Sequence, residues 1–137
     1  MSYRSGISQN DLVSTPTKLT YNQTVQVQDG IIHSLPINIS AGTWVAFISN
    51  NFQLNSGEDC TVFLQYYGLT NTNSIPAPVT YNNFGAGLIL PSGDKMINTS
   101  SYLFTLLSPT TINLFQQYNY DGNAPTVVQT VTFARLT

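Results

Sequence analysis

From Thr17 onward the chain alternates between apolar and polar positions. Leu19, Tyr21, Val25 and Val27 fall on one parity, and Lys18, Thr20, Asn22, Thr24 and Gln26 on the other. A period of two marks a half-buried β-strand, because successive side chains point to opposite faces. Asp29-Gly30 follows as a hairpin-turn signal. Ile31 to Ile39 alternates again, with Ile31, Leu35, Ile37 and Ile39 on one side. Pro36 sits on the opposite parity, which predicts an edge strand or a bulge, because proline cannot donate to a strand ladder.

After the Ala41-Gly42 turn the pattern changes. Between Trp44 and Ile48, Trp44, Ala46 and Ile48 are apolar on one parity and Val45 and Phe47 on the other. Residues 50–59 read as a polar connection. Cys60 to Tyr67 is apolar on both parities too, with Cys60, Val62, Leu64 and Tyr66 set against Phe63 and Tyr67. Residues 68–83 read as a long Asn- and Pro-containing loop. Gly85 to Leu90 is a short apolar strand closed by the Pro91-Ser92-Gly93-Asp94 turn. Ser101 to Leu107 is two-sided again. Thr110 to Tyr120, the Asp121-Gly122 turn and Thr126 to Leu136 complete the chain. No apolar stripe of helical period appears. Short strands rich in Val, Ile, Thr, Tyr and Phe, separated by turn signals, predict an all-β antiparallel β-sandwich. The spacing suits a jelly roll of about eight strands, with an immunoglobulin-like sandwich as the alternative.

Two-sided strands bear on assembly. A lone antiparallel sandwich keeps one face of each sheet polar and wet. Apolar residues on both faces of 44–48, 60–67 and 101–107 predict a second buried face, hence a homo-oligomer. The interface residues expected on this ground are Trp44, Ala46, Ile48, Phe63, Tyr67, Tyr102 and Phe104. Coverage by the chain's own loops is the other reading. Residues 1–16 are polar, rich in Ser and without periodicity, and read as an extended or flexible arm preceding a sandwich domain at 17–137.

Composition sharpens this picture. Only 7% of the 137 residues are charged, against about 25% in an ordinary soluble domain. In their place stand 14 Asn, 9 Gln, 13 Ser and 17 Thr. Gly30–Gly57 and Cys60–Gly93 contain no Asp, Glu, Lys or Arg at all. Such a surface gives little repulsion between copies and offers amides and hydroxyls to neighbours, water or sugars. Arg4, Lys18, Lys95 and Arg135 are scattered and the net charge is −2, which argues against nucleic acid. No apolar stretch approaches the length of a bilayer span, so no membrane insertion is expected. The polar start, Met1 to Gly6, lacks the apolar region of a signal peptide. The sequons at Asn22, Asn38 and Asn98 are frequent by chance in so Asn- and Thr-rich a chain.

Catalytic signals are sparse. His33 is the single histidine and shares the apolar parity of Leu35 and Ile37, which predicts a buried or interfacial hydrogen-bonded role. Cys60 is the single cysteine, opens an apolar strand and reads as a small buried hydrophobe. Of the carboxylates, Asp29, Asp94 and Asp121 sit in turn sequences, where Asp bonds locally. Glu58-Asp59 is the one adjacent pair. There is no GxSxG, no phosphate loop and no EF-hand pattern. No enzymatic activity, cofactor or metal is expected. Tyrosines beside Asn-rich loops suit sugar rings as well as protein interfaces. Asn73, Tyr81, Asn82, Asn83, Tyr120 and Asp121 are the candidate ligand residues, in loops 68–83 and 119–125.

The run Leu35-Pro36-Ile37-Asn38-Ile39-Ser40-Ala41-Gly42-Thr43-Trp44 resembles the strand, Ala-Gly-Thr-aromatic, strand entry of trimeric jelly rolls of the tumour-necrosis-factor and complement-head type. Ser101-Tyr102-Leu103-Phe104, Thr110-Thr111-Ile112-Asn113-Leu114 and Val131-Thr132-Phe133-Ala134-Arg135-Leu136 fit the later strands of the same pattern. Phage and viral decoration and fibre-head domains look similar. The resemblance spans residues 17–137. It implies a homotrimer with aromatic residues of its central strands at the axis, and it brings no catalytic residues. Together these features lead to the expectation of a virion structural protein: a minor capsid, decoration or fibre-head subunit, attached to other virion proteins through residues 1–16. The alternative is an adhesin module that binds a host-surface glycan or receptor.

Overall fold

The computed structural model describes residues 18–70, 79–90, 92–93 and 95–137. The arm at 1–16 lies outside them. The strands are β1 (Lys18–Gln26), β2 (His33–Ile39), β3 (Gly42–Gln53), β4 (Cys60–Thr70), β5 (Val79–Leu90), β6 (Lys95–Leu106), β7 (Thr110–Gly122) and β8 (Thr126–Arg135). They form two four-stranded sheets, ordered β1-β8-β3-β6 and β2-β7-β4-β5. Every pairing is antiparallel. The first strand pairs with the eighth, the second with the seventh, the third with the sixth and the fourth with the fifth. That is a ribbon of antiparallel pairs rolled into two sheets, a jelly roll.

This topology changes the reading of several turns. Asp29-Gly30 is a turn, but not a hairpin. It carries the chain from β1 in one sheet to β2 in the other, and Gly30 N–H donates to Tyr118 O at 2.8 Å. Pro36 does lie on an edge strand, β2, at an exposed position. The strands also run further than the pattern predicted. β3 continues through Asn50 and Phe52, both buried, and β5 begins at Val79. Polar residues at 50–53 and 79–83 hid those extensions.

The two-sidedness of 60–67 has a local cause. The register of β4 against both β5 and β7 shifts between Val62 and Leu64, a β-bulge at Phe63. An extra residue in one strand reverses its parity. Cys60 and Val62 point inward before the bulge, and Gln65, Tyr67 and Leu69 point inward after it. β6 alternates cleanly: Asn98, Ser100, Tyr102, Phe104 and Leu106 are half-buried, while Ile97, Thr99, Ser101, Leu103 and Thr105 are exposed.

The interior divides into two apolar clusters. The larger contains Ile37, Ile39, Trp44, Ala46, Ile48, Tyr67, Leu69, Ile112, Leu114, Val131 and Phe133. Phe133 is met edge-on by Tyr21, Trp44 and Phe104 at centroid distances of 6.1, 6.4 and 6.2 Å. The smaller contains Val27, Phe52, Leu54, Cys60, Val62, Leu90, Tyr118 and Val127. The buried amide residues Asn50, Gln65, Gln116 and Gln129 lie in sequence between members of the two clusters on β3, β4, β7 and β8.

Candidate functional site

The seven residues expected at an oligomer interface are not on a common surface. Trp44, Ala46, Ile48 and Tyr67 are 0–1% exposed within a single copy. Tyr102 and Phe104 pack against the same cluster, and the Tyr102 hydroxyl donates to Tyr67 O at 3.3 Å. These six belong to the chain's own core. Phe63 alone of the set has outward parity, and it lies on the β2-β7-β4-β5 sheet. Gly87 makes room for it: φ is +116°, and a Cβ there would collide with Thr61 Cγ2 and stand 3.1 Å from Phe63 Cε1. On β3 and β6 the expected residues have the inward parity. Trp44, the largest side chain of β3, takes the interior with its alternates, so Val45 and Phe47 face out.

Among the described residues, the outward face of the β1-β8-β3-β6 sheet carries three exposed apolar side chains, and the outward face of the other sheet carries Ile89, 73% exposed. Phe47 is 52% exposed, Ile97 59% and Leu103 69%. Register places Val45 opposite Leu103, Phe47 opposite Ser101 and Asn51 opposite Ile97. Toward β8, Phe47 stands opposite Thr132, Ser49 opposite Thr130 and Asn51 opposite Val128. The hydroxyls of this face bond across strands. Thr20 and Thr132 share a hydrogen bond of 3.3 Å, and Thr43 and Thr105 one of 3.0 Å. Thr130 Oγ1 donates to Asn22 Oδ1 at 2.8 Å. A shallow trough lined by Phe47, Ser49, Thr99, Ser101, Thr130 and Thr132 runs along the middle of the sheet. The outward positions of β1, β3 and β8 from Thr20 to Gln26, Thr43 to Asn51 and Thr126 to Thr132 carry no charge, nor do those of β6 from Ile97 to Thr105. Lys18 stands at the end of β1 and is exposed.

The candidate ligand residues are more dispersed. Asn73 lies outside the described residues. Tyr81, Asn82 and Asn83 are strand residues of β5, in register with Tyr66, Gln65 and Leu64. Tyr120 and Asp121 are in β7, opposite Val62 and Thr61. β4 separates the two groups, so 81–83 and 120–121 flank one strand and do not form a single loop cluster. Tyr120 packs against the smaller apolar cluster and its hydroxyl donates to Val27 O at 3.1 Å. Its N–H donates to Asp29 Oδ1 at 2.9 Å.

The turns beside the remaining carboxylates are closed by local bonds. Glu58 Oε1 accepts from Asn55 N–H at 3.1 Å, closing the β3–β4 turn. Asp59 N–H donates to Asn123 Oδ1 at 3.1 Å, and Asn123 N–H returns to Asp59 O at 2.7 Å. Cys60 is buried, and burial together with Asp59 and Asp121 pushes its thiol up to about 11, the opposite of an activated nucleophile. Burial likewise raises the Tyr118 phenol above its ordinary range. His33 is half-buried, with Nε2 enclosed. No group of three His, Cys, Asp or Glu able to hold a metal occurs among the described residues. None of them forms a helix long and apolar enough to cross a membrane.

No family model matches the chain, and no curated protein sequence matches it. Among solved structures, a chain of the infectious bursal disease virus Gx strain aligns over 88% of this chain and 32% of its own length. That alignment has 14% identity and a TM-score of 0.45. A chain from the T13 particle of the same virus covers 90% of this chain and 37% of that one, at 13% identity and TM-score 0.42. A chain of Bacillus endospore appendages, described as disulfide-linked pili, covers 82% of this chain and 95% of that one, at 12% identity and TM-score 0.23. The chain thus spans about a third of the length of the virus chains it matches. The strand pairing, not these distant likenesses, carries the jelly-roll assignment.

Proposed function

We propose that the chain is a non-enzymatic structural subunit of a virus particle. It assembles with copies of itself, as a trimeric minor capsid, decoration or fibre-head protein. Residues 1–16 serve as the arm that engages neighbouring virion proteins. The observation that carries this reading is the outward face of β1-β8-β3-β6. It exposes Phe47, Ile97 and Leu103 in a field of hydroxyls and amides without charge. Burying the uncharged middle of this face removes apolar area from water without stripping solvent from an ion, and like faces do not repel there. A four-strand face about ten residues long covers roughly 600 Å² in projection. That is comparable with the roughly 800 Å² per partner of a standard stable interface.

A carbohydrate- or receptor-binding role draws less support. Tyr120 has committed its hydroxyl to Val27, and residues 81–83 and 120–121 lie on either side of β4.

Light scattering at low micromolar concentration tests assembly. Three chains per particle are expected, and a stable monomer would overturn the reading. Phe47→Asp with Leu103→Asp is expected to shift the mass to that of one chain while leaving the far-ultraviolet spectrum unchanged, because neither side chain belongs to the core. Co-purification of the chain with intact virus particles, read by mass spectrometry, tests the placement; its absence from them would overturn it.

A further inference from the structure

The two apolar clusters are separated by a polar layer that the register sets across both sheets. In the first sheet Gln23 stands opposite Gln129, Gln129 opposite Asn50, and Asn50 opposite Asn98. One row thus crosses β1, β8, β3 and β6. In the second sheet His33 stands opposite Gln116. Gln65 is in register with Tyr118 on one side and Asn82 on the other. Along each of β1, β3, β4, β7 and β8, the polar residue of this level is flanked by inward residues of the larger cluster on one side and of the smaller on the other.

Parts of this belt bond to one another, some within a sheet and some from sheet to sheet. Gln23 Nε2 donates to Gln129 Oε1 at 3.1 Å, and Gln129 Nε2 donates to Phe115 O in the facing sheet at 3.0 Å. Asn98 Nδ2 donates to Gln65 Oε1 at 3.3 Å. The Tyr118 hydroxyl donates to Gln116 Oε1 at 2.8 Å.

Asn50 is the exception at the centre. It stands between Gln129 and Asn98, whose amides reach β7 and β4 respectively. It is 0% exposed, yet neither its Oδ1 nor its Nδ2 has a hydrogen-bond partner among the described residues. Gln116, also 0% exposed, leaves Nε2 unpartnered, and its register neighbour His33 leaves Nε2 unpartnered as well. Buried amides are costly to leave unbonded, and folded proteins rarely do so.

The chemistry of the unpartnered atoms selects the ligand. A cation would meet the N–H groups of Asn50 and Gln116. An anion would meet the Asn50 carbonyl. An apolar molecule would satisfy none of them. A small molecule that both donates and accepts fits all of them, and water is the smallest such molecule. We propose that the amide belt is a water-binding layer, with enclosed water bonded to both ends of the Asn50 amide and to Gln116 Nε2. Internal waters of this kind make about three hydrogen bonds each to groups the protein leaves unpaired. The layer lies inside one copy and does not depend on how copies assemble.

The test uses the full chain, labelled with nitrogen-15, and the solvent itself as the probe. The side-chain amide protons of Asn50 and Gln116 are expected to show NOE and ROE cross-peaks to water of opposite sign, the signature of water held for longer than nanoseconds. Peaks of equal sign, or none at Asn50, would overturn the proposal. A high-resolution crystal structure gives a second, independent reading. A discrete water within hydrogen-bond distance of Asn50 supports the belt as a hydrated layer. An Asn50 amide bonded directly to neighbouring side chains, with no water, overturns it.

Discussion

The two halves of the interior solve the same packing problem with different materials. The larger half is aromatic and aliphatic throughout, built around Phe133 with Tyr21, Trp44 and Phe104 set edge-on to it. Arg135 closes its end: the guanidinium carbon lies 5.7 Å from the Trp44 ring centroid, and Nη2 donates to Ala41 O at 3.0 Å. In the smaller half Phe52 meets Tyr118 edge-on at 5.3 Å, and this half contains the thiol of Cys60 and the phenol of Tyr118. The larger half thus centres on one ring met edge-on from three sides, with the polar tips of its rings bonded: Trp44 Nε1 donates to Ser40 O at 3.0 Å, and the Tyr67 and Ser100 hydroxyls share a hydrogen bond. The smaller half centres on the Phe52–Tyr118 pair and holds the buried thiol.

The largest test of that contrast is truncation of the two central phenylalanines. Phe133→Ala is expected to cost about 3–5 kcal/mol in denaturant unfolding, as do other buried phenylalanine truncations. Phe52→Ala is expected to cost less by about 1–2 kcal/mol, because among the described residues it forfeits one edge-on ring contact instead of three. Equal costs would mean that ring geometry adds nothing to burial.

A smaller effect is expected at the two ends. Gly122 has φ +97°, and a Cβ there would stand 2.6 Å from Asp59 O. That carbonyl is held by Asn123 N–H. Gly122→Ala is therefore expected to destabilise by about 1–3 kcal/mol in thermal unfolding. Gly42, φ +141°, would place its Cβ 2.7 Å from Thr137 O, and that carbonyl lies past the end of β8, outside the strand ladder, and can yield. Gly42→Ala is expected to cost less.

The smallest effect is alkaline. The Cys60 thiol titrates at about 11 in the folded chain against 9.0 for an unperturbed thiol. The folded state thus holds a proton that the unfolded state releases, and its stability falls as pH rises from about 9 toward 11. Tyr118 adds to the same slope at higher pH. Melting temperature is expected to be insensitive to the thiol below pH 9 and to fall above it, less steeply in Cys60→Ala. An unchanged slope in that variant would remove the thiol from the account.

The alternation at 18–27 and 33–39 was legible because each strand keeps one face dry, and a period of two shows directly in residue type. The same rule concealed β3 beyond Ile48 and β5 before Phe84. There Asn50 is inward but polar, and Tyr81-Asn82-Asn83 reads as loop. The apolar residues on both parities of 60–67 suggested a second buried face, where one bulge at Phe63 had exchanged the parities. Six of the seven expected interface residues proved to be core for a related reason. Apolarity identifies a strand, but a partner strand and a facing sheet decide which parity is inside.

Residue order and type alone settled that this chain is all β, that turns fall near 29–30, 41–42, 92–93 and just past 122, and that its surface is almost without charge. Those are local properties, written in period, turn chemistry and composition. Pairing, register and exposure were decided only by the assembled sheets. Asp29-Gly30 turns a chain equally well into a hairpin or across a sandwich. The row Gln23–Gln129–Asn50–Asn98 joins residues up to 106 positions apart. No local pattern encodes a contact over such a distance, because it exists only once the ribbon has rolled and the two sheets have closed on each other.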